Sequence, residues 1–312
     1  IMKAGEIIEQ GEIEEVFRQK KHGYTRKLLE SVNYSPEKKS KASTNILLSV
    51  DQISSSYLGS DSLFESNQAK LKVLDNVSLK IFEGEILGVV GESGSGKSTL
   101  VKAILGLQKY ENGSIIFNNK KIDADDYMDV KTRSLMQVVF QDPYGSFNPR
   151  HKIMRLIAEP FYLVRGVFSK KEINERVNIA LREVGLLPKD AHKFIHEFSG
   201  GQRQRIAIAR ALIIKPKLII LDEAVSSLDV SIKAQILDLL AELAEKHSLS
   251  YLFVSHDLSV VQNISNRVIV MQNGTVVEEG TASEILSAPK ADYTKKLVRA
   301  IPKIPNNWFS GG

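Results

Sequence analysis

The sequence of 312 residues contains no cysteine, and this absence excludes several kinds of site. Without thiols the chain has no disulfide framework, no thiolate metal site and no cysteine-bound iron–sulfur cluster. It also lacks any apolar run approaching the roughly 18 residues of a membrane-spanning helix, and no signal peptide is evident. We therefore expect a protein of the cytoplasm or of the cytoplasmic face of the inner membrane, bound there peripherally.

The overall composition is that of an ordinary globular protein. Apolar residues make up 43% of the chain and charged residues 25%, and the formal net charge is +5. A basic balance can indicate contact with nucleic acid or an anionic membrane surface. Here the lysines are scattered, so we interpret them as solvated surface and expect no nucleic-acid partner.

A glycine-rich stretch follows the pattern G-x-x-x-x-G-K-[S/T] of a phosphate-binding loop. An apolar strand, Ile86–Val90, precedes it, and apolar residues at helical spacing follow it, which is the context that the motif requires. Lys97 is expected to reach the β- and γ-phosphates, and Ser98 to place its hydroxyl on Mg²⁺. The predicted nucleotide-binding residues here are Gly91, Glu92, Ser93, Gly94, Ser95, Gly96, Lys97, Ser98 and Thr99.

A second motif is the apolar run Leu218–Leu221, which ends in Asp222 and Glu223. At the carboxyl end of a buried strand, these acids can face the ligand of the phosphate loop. Asp222 suits the Mg²⁺ shell, through a water molecule, and Glu223 suits polarisation of an attacking water. Acids at a strand end also serve solubility, but their pairing with the phosphate loop favours the catalytic interpretation.

A third motif begins with Ser199 as a predicted N-cap, followed by two glycines and a helix with apolar residues at helical spacing. This is a second helix start suited to binding an anion. The residues assigned to nucleotide contact are Ser199, Gly200, Gly201 and Gln202.

Elsewhere, short apolar runs alternate with helical patterns, which predicts an α/β fold with a mainly parallel sheet. Near the start of this region we predict a strand over Ile46–Ile53, a loop over Ser54–Lys70 and a strand over Leu71–Phe82. An Asn-Gly pair at Asn273 and Gly274 predicts a hairpin turn between two further strands.

The phosphate loop, the Ser-Gly-Gly-Gln signature and the Leu-Asp-Glu strand, in this order, resemble the ATPase domain of ABC transporters. The resemblance covers residues 46–300 and implies a P-loop NTPase core, an antiparallel β subdomain and a helical signature subdomain over about 142–210. It implies ATP and Mg²⁺ as cofactors. It also implies roles for Gln141 in Mg²⁺ or water contact, His256 at the γ-phosphate and Tyr57 stacked on adenine. Alone, Gln141 would be interpreted as a surface glutamine at a strand end, His256 as a structural histidine and Tyr57 as an ordinary loop tyrosine.

Two stretches resemble the oligopeptide and dipeptide importers within that family. They are residues 140–150, which read FQDPYGSFNPR, and residues 222–229, which read DEAVSSLD. The resemblance implies an ATPase subunit that powers import of peptides or peptide-like compounds. Its implied partners are a second ATPase domain, transmembrane permease subunits and, indirectly, an extracytoplasmic substrate-binding protein.

The chain also repeats itself. Residues 1–31 align without gaps on residues 270–300, with Gly5, Glu9 and Tyr24 recurring as Gly274, Glu278 and Tyr293. We interpret residues 1–31 as the tail of a preceding ATPase domain, 32–45 as a linker and 301–312 as a C-terminal tail. This arrangement resembles fused double-ATPase importers of the microcin C type. We expect residues 1–45 to be either poorly ordered or docked against the main domain or a neighbouring molecule.

Two other functions remain open from the sequence. A soluble ABC-type ATPase acting on ribosomes or nucleic acid would also pair two such domains, but it is not expected to share the importer-like stretches. A module that binds nucleotide without turnover would be expected to lack Glu223 or His256, and both are present.

Overall fold

The structure is a computed structural model that describes residues 1–3, 5–32, 42–58, 70–122, 128–142, 145–164 and 166–302. Most of the predicted linker, the predicted loop at 59–69 and nearly all of the C-terminal tail lie outside these ranges. The strands are β1 (Met2–Lys3), β2 (Glu6–Ile7), β3 (Ile46–Leu58), β4 (Lys70–Phe82), β5 (Ile86–Val90), β6 (Asn112–Phe117), β7 (Lys120–Ile122), β8 (Met136–Val139), β9 (Leu218–Asp222), β10 (Ser250–Ser255), β11 (Arg267–Gln272) and β12 (Thr275–Thr281).

Helices connect many of these strands along the chain, and short 3-10 turns cover Glu159–Val164, Pro188–His192 and Ile195–Glu197. Within the described ranges, no helix combines the length and apolar character needed to cross a bilayer. The α-helices are α1 (Ile13–Gln19), α2 (Gly23–Val32), α3 (Lys97–Ile104), α4 (Val130–Leu135), α5 (Ile153–Ala158), α6 (Lys170–Glu183), α7 (Gly200–Leu212), α8 (Val230–His247), α9 (Leu258–Ile264), α10 (Ala282–Ser287) and α11 (Asp292–Arg299).

The larger sheet has the strand order β12-β11-β5-β10-β9-β8. Strand β5 pairs in parallel with both β10 and β11, and β9 pairs in parallel with both β10 and β8. All residues of β5 and β10 are buried, as expected of a parallel sheet covered by helices on both faces. The predicted α/β fold with a mainly parallel sheet is confirmed, and only β12 runs antiparallel, as the return strand of the β11–β12 hairpin.

The second sheet is antiparallel, with the order β4-β3-β6-β7. The loop predicted from Ser54 onwards is wrong for residues 54–58, because β3 continues to Leu58 with several register shifts. The polar serines that suggested a loop are satisfied inside the sheet. The Ser54 hydroxyl accepts a hydrogen bond from the backbone N–H of Asn76 at 3.1 Å, and the Ser55 hydroxyl donates to the carbonyl of Lys109 at 3.3 Å.

A helical layer formed by α5, α6 and α7 packs against one face of the larger sheet. Its buried apolar side chains form one continuous cluster with Ile219, Leu221, Tyr251 and Phe253 of the sheet. Two helix starts carry complete capping boxes, Ser169 with Glu172 and Ser199 with Gln202. The range of about 142–210 predicted as a helical subdomain includes α5, α6 and most of α7, and the start of α7 is exposed at the protein surface.

The first copy of the repeat has the local structure of the second. Glu9 accepts hydrogen bonds from the backbone N–H groups of Lys21 and His22, at 3.1 and 3.2 Å, and from the hydroxyl of Thr25. In the second copy, Glu278 accepts from the backbone N–H groups 12 and 13 residues later, at 2.8 and 2.9 Å. Helix α2 of the first copy packs on α8, so this segment is docked in the structure.

Gly88, in the middle of β5, provides a test of how tightly the core is packed. A Cβ atom on this glycine would overlap Val261 Cγ1 and lie 2.8 Å from the hydroxyl of Ser265. We expect Gly88→Ala to lower the free energy of unfolding by about 1–3 kcal/mol, as overpacking does in closely packed cores. The measurement is the urea midpoint. The control is Gly23→Ala, where a Cβ atom has nothing within 4 Å; equal midpoints for the two variants would contradict the expectation.

Candidate functional site

Four neighbouring strands of the larger sheet end at the same edge, and each is followed by a predicted site residue. The phosphate loop follows β5, His256 follows β10, Glu223 follows β9 and Gln141 lies two residues after β8. Because these strands are parallel and adjacent, their carboxyl ends are side by side. The topology therefore brings together residues that are widely separated in sequence.

The phosphate loop wraps the start of α3. Gly94 and Gly96 have positive φ angles of 82° and 100°, a backbone conformation that favours glycine. The Lys97 ammonium is folded onto its own loop, where it donates to the carbonyl oxygens of Gly91 and Glu92, both at 2.7 Å. Burial lowers the pKa of Lys97, while the carboxylates of Glu223 and Asp222 oppose this shift. An anion would be a stronger partner for this ammonium than the neutral carbonyls that it contacts.

Asp222 has the features expected of a residue at a metal site. Burial raises the pKa of its carboxyl and the adjacent Glu223 raises it further, whereas Lys97 and Lys102 act in the opposite direction. One carboxylate oxygen, Oδ1, is buried and has no hydrogen-bond partner among the described residues. Such an orphaned oxygen fits a Mg²⁺-bound water, as hard divalent cations prefer oxygen ligands and retain water.

Glu223 and His256 are in contact, with 3.3 Å between Nδ1 of the histidine and Oε2 of the glutamate. Glu223 has a left-handed backbone with φ 51°, and its N–H donates to the carbonyl of Val254 at 2.9 Å. Ser226 donates to the backbone carbonyl of Glu223 at 2.9 Å and lies 3.5 Å from Nε2 of Gln141. Thus a serine that sequence reasoning did not select connects the predicted glutamine to the predicted catalytic acid.

The signature helix α7 begins as predicted. The Ser199 hydroxyl accepts a hydrogen bond from the N–H of Gln202 at 3.4 Å, and the Gln202 side chain accepts from the N–H of Ser199 at 3.0 Å. Gly201 packs closely on α8, since an added Cβ would lie 2.5 Å from Ile232 Cγ2. A Cβ atom added to the preceding residue, Gly200, would lie 4.0 Å from Leu228 Cδ2. The signature glycines therefore lie next to Leu228 and Ile232, which follow β9 in the same domain.

The predicted adenine contact, Tyr57, is not settled by the structure. Its backbone belongs to β3 and pairs with Leu71, but its side chain lies outside the part of the molecule that is described.

Sequence reasoning missed a backbone contact that supports the phosphate loop. There the N–H of Gly274 donates to the carbonyl of Ser95 at 3.1 Å. The predicted Asn-Gly hairpin turn was the available signal, and it is confirmed, with φ 49° at Asn273 and 78° at Gly274.

Two known families match the chain. A family described as ABC transporter matches residues 74–226. A second, described as Oligopeptide/dipeptide transporter, C-terminal region, matches residues 8–55 and again residues 277–310. The second family is thus matched in both copies of the repeat.

Among curated proteins, the chain is 44% identical over 301 residues to the peptidoglycan transport ATP-binding protein YejF of Agrobacterium fabrum, covering 96% of this chain and 55% of YejF. It is 49% identical over 235 residues to the oligopeptide transport ATP-binding protein OppF of Salmonella typhimurium, covering 74% and 70% respectively. It is 40% identical over 329 residues to the glutathione import ATP-binding protein GsiA of Escherichia coli, covering 97% and 53%. The chain thus spans about half the length of YejF and GsiA.

Among solved structures, cbiO1 of Clostridium perfringens, part of the ABC transporter complex cbiONQ, is 29% identical with a TM-score of 0.67, covering 83% of this chain and 96% of cbiO1. The cassette MJ0796, solved as a dimer bound to ADP and Pi, is 29% identical with a TM-score of 0.64, covering 75% of this chain and 98% of that one.

The fold, and the site at the carboxyl ends of the parallel strands, define an ATP-binding cassette of the P-loop NTPase class. The chain belongs to the family of ABC transporter ATP-binding proteins, and its C-terminal region is of the oligopeptide/dipeptide transporter type.

Proposed function

We propose that this chain hydrolyses ATP to power import of peptides or peptide-like compounds through separate membrane subunits. The observation that carries the ATPase part is the convergence of Lys97, Asp222, Glu223 and His256 at one edge of the parallel sheet. The peptide part is supported by the importer-type C-terminal region and by relatives whose names specify oligopeptide, glutathione and peptidoglycan transport.

The roles of the side chains follow from their positions. Lys97 would leave the carbonyls of its own loop for the β- and γ-phosphates of ATP, with Ser98 and Asp222 holding Mg²⁺ directly or through water. Glu223 would orient and polarise the attacking water, and His256 would hold the Glu223 carboxylate and contact the γ-phosphate. Gln141, connected to the catalytic segment through Ser226, would report on that segment to the membrane subunits.

The proposal includes a second cassette. The signature at the start of α7 would complete the ATP site of a partner domain, because a capped helix N-terminus favours the γ-phosphate anion. The MJ0796 cassette was solved as a dimer, which supports such an arrangement. The partner is either a second copy of this chain or a preceding cassette whose tail is residues 1–31, as the duplicated tail and the two-fold longer relatives suggest.

Reconstitution tests the transport assignment. We expect the chain to co-purify with peptide-importer permeases and to show ATP turnover that rises severalfold when the permeases are loaded with peptide and binding protein. Peripheral membrane attachment would then depend on those permeases. ATPase stimulation by ribosomes or DNA, with none by permeases, would instead support the soluble alternative and overturn the import assignment.

A further inference from the structure

The C-terminal helix α11 reaches the phosphate loop through one side chain. The backbone N–H of Glu92, the second residue of the loop, donates to the phenolic oxygen of Tyr293 at 3.0 Å, across 201 residues of sequence. Tyr293 lies in the region matched to the oligopeptide/dipeptide transporter family. This contact therefore joins the importer-type tail directly to the nucleotide site.

Both polar groups of the Glu92 backbone, the N–H and the carbonyl, are hydrogen-bonded to side chains. The Glu92 carbonyl accepts from the Lys97 ammonium at 2.7 Å, while its N–H donates to Tyr293. When Lys97 turns to a phosphate, it must release that carbonyl, and the Tyr293 contact then remains. Burial raises the pKa of the Tyr293 phenol, so the group that accepts the Glu92 N–H at neutral pH is an uncharged hydroxyl.

We propose that Tyr293 is a positioning residue for the phosphate loop, which fixes the Glu92 backbone so that the loop is pre-arranged for the phosphates of ATP. The importer-type C-terminal region thus contributes a side chain to the nucleotide site. The β11–β12 hairpin also holds the loop, since the N–H of Gly274 donates to the carbonyl of Ser95 at 3.1 Å. The inference rests on the proposed use of ATP by this site.

The internal repeat supplies a matched control. Tyr24 occupies the position of Tyr293 in the first copy, one residue before the buried Thr25, just as Tyr293 precedes the buried Thr294. Its ring faces the ammonium of Lys3, 5.2 Å from the ring centroid. Removing either hydroxyl keeps the ring and its packing, but only Tyr293→Phe removes an acceptor from the phosphate loop.

The experiment compares the whole chain with its Tyr293→Phe and Tyr24→Phe variants. Amide hydrogen exchange without nucleotide should show faster exchange over residues 91–96 in Tyr293→Phe alone. Titration with Mg-ATP should give a dissociation constant raised about two- to tenfold, which is the range expected for one lost hydrogen bond, with kcat within about twofold of the unchanged chain. Tyr24→Phe should match the unchanged chain in both measurements.

The outcomes separate this inference from the proposed function. Unchanged exchange over residues 91–96 and an unchanged dissociation constant in Tyr293→Phe would overturn the positioning role while leaving the ATPase assignment intact. A lowered melting temperature with the same affinity and kcat would mean that the hydroxyl only stabilises the fold, and this also overturns the role. A chain that binds no ATP would refute the proposed function, yet hydrogen exchange would still decide whether Tyr293 braces the loop.

Discussion

Glu223→Gln is expected to retain Mg-ATP binding within about twofold and to lower ATP turnover by about 10²–10³-fold. An amide is isosteric with the carboxylate but cannot accept a proton from the attacking water or polarise it, and general base catalysis contributes roughly this much. The variant also removes the carboxylate charge 3.3 Å from Nδ1 of His256. Lys97 and the phosphate loop, which hold the phosphates, are unchanged, so the effect should fall on turnover.

The measurement is steady-state phosphate release together with equilibrium binding of labelled ATP. Glu175→Gln is the control, because it makes the same chemical change at an exposed glutamate of α6. We expect that control to behave like the unchanged chain. Turnover in Glu223→Gln within a few-fold of normal would show that this carboxylate is not the group that activates water.

Mixing two inactive variants is expected to restore activity if the signature acts across a dimer. Lys97→Ala removes the phosphate ligand, and Ser199→Arg places a bulky cation at the signature helix start, so each homodimer should lack both composite sites. In the mixed dimer, one site combines the intact Lys97 of one chain with the intact Ser199 of the other. With random mixing, half of the dimers are mixed and each has one of its two sites intact. If the sites act independently, we expect roughly a quarter of the normal ATP turnover.

The negative control pairs Lys97→Ala with Glu223→Gln. Both changes lie in the same half of a composite site, so no mixed dimer regains an intact one, and this mixture should stay at background. Rates are measured against protein concentration, since dimer formation depends on it. A mixture of Lys97→Ala and Ser199→Arg that remains inactive, at concentrations where the unchanged chain is dimeric and active, would contradict use of the signature in trans between copies of this chain.

The sequence predicted the elements that have strong local signals. Apolar runs such as Ile86–Val90 give buried parallel strands because both faces of that sheet are covered, and the capping pattern at Ser199 defines a helix start from local hydrogen bonds alone. The meeting of the predicted site residues at one sheet edge followed from a general rule about the carboxyl ends of parallel strands. These predictions depend on short-range chemistry or on topology, and both can be inferred from one chain.

The missed features depend on contacts between distant residues. Ser54 and Ser55 suggested a loop, yet the partners at Asn76 and Lys109 that satisfy them inside the sheet are not visible in the local pattern. Ser226 is an ordinary turn residue until β8 is placed next to β9 and brings Gln141 near it. The hydrogen bond between Glu92 and Tyr293 spans 201 residues, and only the folded chain shows it.

The position of β5 in the larger sheet also has a consequence for synthesis on the ribosome. Its two neighbours, β10 and β11, begin at residues 250 and 267, about 160 residues or more after β5 ends. At ordinary rates of translation, synthesis of these residues takes roughly 10–30 s, during which both hydrogen-bonding edges of this central apolar strand lack their partners. Meanwhile the smaller sheet and α3, which are made close to it in time, can already cover its Leu87 and Val89 side chains. The antiparallel subdomain can thus cover one face of β5 before β10 and β11 are made, and a product terminated before residue 250 would carry β5 with both edges unpaired and prone to aggregate.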